Sequence, residues 1–329
     1  MRAALISSPR KIEITNIPDP TPTPNEVVLE IASVGICGTD IHIFDGGYPA
    51  KIPIVPGHEF CGTVIARGAE VRGLNIGDRV AADPNIPCMR CRYCHLGRFN
   101  LCDNYEAIGV TLNGAAAQYV SVPEHLCVLL PDTIDLADAT LIEPLSCALH
   151  AFDLLGSKLG SSVAIYGSGT IGLMMLQLAK RTGVSSVDLI DVNPLKLVAA
   201  RELGASRTST NSAELDVGRG WDVVIDATGV VAAIEDGISH VAKGGTFLQF
   251  GVSSPDAVVA IHPFRIYDHE ITIIGSVCPL NSFERAVELM SIGAIDPRTL
   301  ISHRLPLDSY SDALSLFASG ATRKIVIAP

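Results

Sequence analysis

Beyond Pro144 the chain alternates between short aliphatic runs and longer runs with apolar residues at helical spacing. No other feature restricts the fold as much. VAIY, VDLI, DVVID, TFLQF and ITIIG predict strands, and LSCALHAFDLL, IGLMMLQLAKRT, PLKLVAARELG and VAAIEDGISHVA predict helices. Strands that alternate with helices form a parallel sheet covered on both faces. Pro144 suits a first helical position, and Gly156 ends that helix. The uncharged run from Leu159 to Ala179 is long enough to suggest a membrane span. Its glycines and its strand-then-helix pattern predict a buried βα unit instead.

The first 145 or so residues have another character. GTVIARG, GDRVAA and AAQYVSV read as half-buried strands bounded by Gly, Asn and Pro, and predict an irregular β barrel. The run Pro18 to Pro24 predicts an extended loop leading into VVLEIASVG. Near the end come helices SFERAVELMSIG and SYSDALSLFASG and the strand KIVIAP, which is apolar enough to rejoin a sheet, that of the first domain being the candidate. The expected class is α/β, with a catalytic domain at 1–146, a nucleotide domain at 147–277 and a closing segment 278–329 that returns to the first.

Composition narrows the functions. The 329 residues are 48% hydrophobic and 18% charged, enough for two domains with cores, and the net charge of −11 argues against nucleic acid as a partner. The start, MRAALISSPRKIEI, has no apolar h-region and reads as a strand, so a cytoplasmic protein with no membrane partner is expected. Nine cysteines in such a chain point to thiols and metal ligands instead of disulfides. Cys88, Cys91, Cys94 and Cys102 form C-x2-C-x2-C-x7-C, a spacing that lets four thiolates surround one tetrahedral ion. Zinc is the first choice and an iron–sulfur cluster the second. Four protein thiolates leave no position for substrate, so this ion, in the lobe 88–102, is structural. Cys61, Cys127, Cys147 and Cys278 belong to no motif and are expected to be small buried hydrophobes.

Gly167, Gly169 and Gly172 form G-x-G-x-x-G between VAIY and IGLMMLQLAK. Here the first glycine permits a sharp turn, the second lets the backbone approach a pyrophosphate, and the third lets helix and sheet pack closely. The helix start, with Thr170 and Ile171, offers free N–H groups to phosphates. Asp191 ends the next strand, where a carboxylate accepts ribose hydroxyls and repels a 2′-phosphate. Because Val192, Asn193 and Pro194 follow, with no arginine, NAD is expected over NADP. Lys196 either reaches the adenosine ribose or is only solvated.

Cys37, Thr39, Asp40 and His42 lie in GICGTDIHIF, His58 and Glu59 lie in VPGHEFCGTVIARG, and Glu143 precedes Pro144. Singly, each is more often a core or solvated residue. Together, a Cys, a His and a carboxylate from separate segments suit an open zinc site with three protein ligands. These residues carry a resemblance. G-H-E-x2-G-x5-G from Gly57 to Gly68, the C-G-T-D-x-H run, the four-cysteine lobe and the glycine loop occur in the order of the zinc-containing medium-chain alcohol dehydrogenases. Glu143-Pro144-Leu145 resembles their polyol, sorbitol-type branch.

The resemblance extends over essentially the whole chain. It implies a GroES-like barrel, a Rossmann domain and two zinc ions per chain. It implies Cys37 and His58 as ligands of the catalytic zinc, with Glu59 and Glu143 sharing the carboxylate role, one ligating while the other holds a water or exchanges with it. Asp40 would orient His58, and Thr39 and His42 would relay a proton. Thr228, Gly251, Val252 and the segment Gly275, Ser276, Val277 would line the cofactor. The implied reaction is hydride transfer from a polyol or secondary alcohol to NAD, giving the ketone.

Two departures bear on substrate. Cys278-Pro279 stands where animal sorbitol dehydrogenases have an Arg-Tyr pair, and Tyr105 or Glu106 stands where an aromatic would touch substrate. They argue against sorbitol itself and for a shorter or differently configured polyol, a sugar, a cyclitol or a vicinal diol, and the loop Leu101 to Gly114 is expected to share in the choice. An L-threonine or amino-alcohol dehydrogenase and a non-catalytic NAD-binding relative are the alternatives. Family likeness also implies a homo-dimer or homo-tetramer paired through the edge strand near 271–277.

Overall fold

The computed structural model describes residues 1–156, 159–215 and 218–329. They form two units. One comprises Met1–Ser146, Pro279–Gly293 and Ile301–Pro329; the other comprises Cys147–Cys278 and Ala294–Leu300. The segment Ala294–Leu300, expected with the closing part of the chain, packs in the nucleotide unit instead. Gln177, buried on the helix Thr170–Ala179, accepts the Asp296 N–H at 2.8 Å, and Arg181 Nε donates to the Ala294 carbonyl at 3.2 Å.

The first unit is built around strand Glu26–Ile36, which lies in a seven-stranded sheet. It pairs antiparallel with Glu59–Arg67, with Tyr119–Pro123 and with the terminal strand Lys324–Ala328. Its edges are paired in this way, and it is mostly buried apart from Glu30, which agrees with an apolar run where a half-exposed strand would alternate. Two register shifts against Glu59–Arg67 bend it into the barrel wall. Val27, Leu29, Val34, Phe60, Val122 and Ile325 share its core. The register also explains a meeting of distant residues. Gly35 pairs with Val326 on one side and Glu59 on the other. Lys324, two residues before Val326, shares that face. A side chain at Gly35 would collide with the Glu59 carboxylate.

The second unit carries a six-stranded parallel sheet: Ser162–Tyr166, Ser186–Ile190, Arg207–Ser209, Trp221–Asp226, Val241–Gln249 and Thr272–Gly275. The third, second, first, fourth, fifth and sixth of these lie side by side in that order. This is the doubly wound order, which opens a crevice between the first and fourth strands. Trp221, Val224, Ile234 and Phe247 anchor its core.

Local differences from the sequence reading have plain causes. The helix Ile142–Leu155 begins before Pro144, because the turn Ala139–Leu141 leads into it. Pro144 then falls in the first turn, where amides lack helical partners anyway. The helix Val231–Ser239 stops early because Val241 already pairs with Trp221 in the sheet. Of the four cysteines outside motifs, only Cys61 is buried; Cys127, Cys147 and Cys278 are half-buried. Among the described residues no helix is long and apolar enough to cross a membrane.

Candidate active site

Cys37 follows the bent strand in extended backbone and caps the helix Gly38–Asp45. Asp40, in the first turn, accepts the Cys37 N–H at 2.8 Å and the Gly57 N–H at 3.3 Å, tying together the two segments that carry Cys37 and His58. Its Oδ1 lies 3.7 Å from His58 Nδ1, too far for a hydrogen bond. At this distance Asp40 acts on His58 through its charge, while the two backbone amides take the carboxylate's hydrogen bonds. His58 Nδ1 is buried without a hydrogen-bond partner.

Ligand atoms of Cys37, His58 and Glu59 all lie within 4.8 Å of one another. Around a tetrahedral ion with bonds of about 2.0–2.3 Å, donors sit roughly 3.3–3.8 Å apart, so small side-chain adjustments complete the site. Glu143 is outside this trio. It is buried in the first turn of Ile142–Leu155, near enough for its charge to act on both His58 and Lys324. Burial works against a charged His58 imidazole. The negative charges of Asp40, Cys37 and Glu143 outweigh it and raise the His58 pKa well above its ordinary value. A buried pocket that stabilises positive charge to this degree, and offers a thiolate, an imidazole and a carboxylate, fits a divalent cation.

Two residues here were not found by sequence reasoning. Lys324 Nζ donates to both Glu59 oxygens, at 2.7 and 2.6 Å, and to the Ile36 carbonyl at 3.1 Å. A lysine opening an otherwise apolar strand was the only signal for it. Burial opposes its charge, but Glu59 foremost, then Cys37, raises its pKa. Tyr310 places a buried hydroxyl without a partner near the same cluster. Burial first, then the charges of Asp40, Glu59 and Cys37, pushes that phenol well above its usual range. Thr39 Oγ1 lies 3.8 Å from Cys37 Sγ, and half-buried His42 follows on the same helix one turn later. Glu106, one of the two positions considered for substrate contact, pairs with Lys51 at 2.8 Å.

Cys88, Cys91, Cys94 and Cys102 also converge, with their sulfurs within 4.8 Å of one another. The Cys91 and Cys102 sulfurs are 3.9 Å apart, against about 3.8 Å for the edge of a zinc–thiolate tetrahedron and about 2.05 Å for a disulfide. The Arg90 N–H, foremost, holds the Cys88 thiol down at about 6, whereas desolvation pushes Cys94 up to about 12. The lobe's amides thus favour thiolate at one corner, and a cation is needed to hold the buried corner ionised.

In the second unit each loop glycine has a distinct surrounding. Gly167 turns with φ +101°, a side chain at Gly172 would strike the Gly167 carbonyl, and one at Gly169 would meet only open space. That space lies at the start of the helix Thr170–Ala179, at the switch point of the sheet, and a ligand backbone fits there. Asp191 accepts the Ser168 N–H at 2.8 Å and the Asn193 N–H at 2.9 Å, which fixes its carboxylate beside the glycine turn. Lys196 contributes its carbonyl to Ser168 Oγ at 3.0 Å. Thr228 reaches the crevice, but its hydroxyl donates inward to Asp226 at 2.5 Å and accepts the Val230 N–H at 2.9 Å. Gly251 packs against Gly229, Val252 is exposed, and Ser276 Oγ is buried without a partner, available to a ligand.

Comparison with known proteins bears on these sites. Residues 23–132 match the family model described as alcohol dehydrogenase GroES-like domain, and residues 170–291 match zinc-binding dehydrogenase. D-arabinitol dehydrogenase 1 of Uromyces fabae is 35% identical over 340 aligned positions, covering 100% of this chain and 97% of that protein. Sorbitol dehydrogenase of Bacillus subtilis is 33% identical over 95% of this chain and 92% of its own length. The solved structure of a Sinorhizobium meliloti protein, described as a zinc-binding dehydrogenase and bound to NADP, superposes with a TM-score of 0.96 at 37% identity, covering 100% of this chain and 99% of that one. Matched along its whole length in both sequence and structure, the chain belongs to the zinc-binding, medium-chain alcohol dehydrogenase family and is an oxidoreductase of that family.

Proposed function

We propose that the chain oxidises a polyol or related secondary alcohol to the ketone with NAD, using one catalytic and one structural zinc. The observation that carries this reading is the pair of unlike metal-ligand clusters. One has four thiolates and no room for substrate; the other offers a thiolate, an imidazole and a carboxylate and leaves a coordination position over. Zinc held at the second cluster would supply Lewis acidity toward an alcohol oxygen, and NAD would supply the hydride acceptor. Cys37, His58 and Glu59 are the holding set, with Glu143 as the alternate carboxylate. Thr39 Oγ1 takes the hydroxyl proton, and His42, half-buried one turn on, passes it toward solvent.

NAD is favoured over NADP because the fixed Asp191 carboxylate would repel a 2′-phosphate, and Arg207 on the neighbouring strand is already paired with Asp188. The NADP-bound relative makes this the point most worth measuring. The protein is further expected to be cytoplasmic and homo-oligomeric. Strand Thr272–Gly275 ends its sheet, and Phe264 and Tyr267 nearby are 74% and 80% exposed, so a second copy is the natural cover. Light scattering that gave a monomer at micromolar concentration would remove that element.

The decisive experiment follows reduced-nicotinamide absorbance across four- to six-carbon polyols, inositols, butanediol and L-threonine, each with NAD and NADP. Turnover of a polyol with NAD supports the reading. Strict preference for L-threonine selects the amino-alcohol alternative, and NADP preference overturns the role given to Asp191. Cys37→Ser should abolish turnover and leave NAD binding intact; turnover that persists after removal of zinc would refute the metal's role.

A further inference from the structure

A buried carboxylate in the second unit has no part in the chemistry above. Asp226 ends the strand Trp221–Asp226, is 0% exposed, and among the described residues pairs with no Lys, Arg or His. Four donors compensate it instead. Oδ1 accepts the Thr228 N–H at 3.0 Å and the Thr228 hydroxyl at 2.5 Å; Oδ2 accepts the Gly229 N–H at 2.9 Å and Gln249 Nε2 at 2.7 Å. Gln249 ends the neighbouring strand, and the same Nε2 donates to the Gly251 carbonyl at 2.7 Å. The Asp226 carbonyl accepts the N–H groups of Phe250 at 3.0 Å and Gly251 at 2.9 Å. Gln249 also offers its carbonyl to the Ser276 N–H at 3.1 Å, at the end of the sixth strand. Ser253 Oγ closes the far side on the Gly229 carbonyl at 2.8 Å.

The carboxylate–amide pair thus ties the loops at the carboxyl ends of the fourth and fifth parallel strands, and the Gln249 main chain holds the start of the loop after the sixth. In a doubly wound sheet each half takes one mononucleotide. The glycine turn and Asp191 belong to the first half, so these three loops belong to the half that takes the nicotinamide. We propose that Asp226 and Gln249 are positioning residues that hold Gly251, Val252 and Ser276 in place for the nicotinamide half of the cofactor, a proposal that rests on the dinucleotide reading above. The carboxylate is required because both of its oxygens face donors. An amide at this place turns an NH2 toward an N–H and leaves a buried donor unmatched. The tight seat explains Gly251 too: a Cβ there would lie 2.7 Å from Asp226 Oδ2.

The test compares two ligands on the intact protein, following quenching of its single tryptophan, Trp221. NADH probes the whole cofactor, and ADP-ribose lacks the nicotinamide. Asp226→Asn and Gln249→Ala should each weaken NADH by about tenfold or more while changing ADP-ribose less than about twofold. Gln249→Ala removes only the link between the loops and keeps the strand end, so its thermal midpoint should stay near that of the wild type. Asp226→Glu, which keeps the charge, should recover part of the NADH affinity. Unchanged NADH affinity in Gln249→Ala overturns the proposal. So does an equal loss of NADH and ADP-ribose, which would reduce the pair to general support of the fold. A wild-type protein that binds neither ligand refutes the dinucleotide reading and the proposal with it. Binding of ADP-ribose but not NADH by the wild type overturns the proposal alone.

Discussion

Replacing Lys324 by Met isolates the electrostatics of the metal pocket. Its Nζ contacts both Glu59 oxygens, at 2.7 and 2.6 Å, and the two residues are 3% and 1% exposed. Removing one partner of such a buried pair costs about 3–5 kcal/mol, because the remaining charge is left uncompensated. In a domain of this size each kcal/mol lowers the unfolding midpoint by roughly 2–4 °C, so the chelator-treated variant should unfold roughly 6–20 °C below chelator-treated wild type. A divalent cation on Cys37, His58 and Glu59 supplies positive charge in place of the lysine. Zinc should therefore raise the midpoint of the variant more than that of the wild type. By linkage the variant should hold its catalytic zinc more tightly against a chelator, by about tenfold for each 1.4 kcal/mol recovered. Scanning calorimetry with and without zinc, beside a colorimetric chelator competition, reads both quantities. An equal midpoint loss in the two conditions would show that Glu59 does not sense the ion, and the assigned ligand set would fall.

Other consequences are quicker to check. Cys102→Ser should lower the zinc content from about two ions per chain to about one; atomic emission counts the metal, and limited proteolysis should find new cleavage between residues 88 and 102. Asp191→Ala should weaken NADH by about tenfold and narrow or reverse the preference over NADPH, as read by fluorescence titration. Burial holds the Asp83 carboxyl up at about 6, against 3.8 for a free one, with hydrogen bonds from Asn85 opposing the rise. Between these values the folded state keeps a proton that the unfolded chain has released. Stability should therefore fall by about 3 kcal/mol as pH rises from about 4 to 6 and then level off. Asp83→Asn should flatten that slope in urea midpoints taken across the range.

Much of the molecule could be read before its structure. The parallel sheet was legible because strand and helix periods differ and the alternation is long. The four-cysteine lobe and the glycine turn were legible because each is local: its chemistry is completed within about fifteen residues of one loop. Cys37, His58 and Glu59 were reached only jointly, since each residue type is common and the argument needed their order along the chain. Lys324 was out of reach. It meets Glu59 because Gly35 pairs with Val326 on one side and Glu59 on the other, a register that no local pattern specifies. The same is true of Asp226 and Gln249, which end adjacent parallel strands and look like ordinary strand termini in the sequence.

These misses share a cause that bears on function. In both units the groups that chemistry names, the metal ligands in one and the phosphate turn in the other, sit in short segments with recognisable spacing. The groups that hold them in place come from neighbouring strands far away in the chain: Lys324 for Glu59, Asp226 for the loops of Gln249 and Ser276. A buried carboxylate has to be compensated wherever the sheet provides a donor, and here the sheet provides a lysine in one unit and four neutral donors in the other. The difference fits the tasks. Beside a cation site a fixed positive charge on Lys324 balances the Glu59 carboxylate that the metal would share. Under the nicotinamide loops four directed N–H and O–H donors fix both carboxylate oxygens, and with them the backbone of the loops. Substitutions at the two carboxylates should therefore separate: Glu59→Gln should be felt in metal retention and Asp226→Asn in cofactor affinity, each with little effect on the other reading.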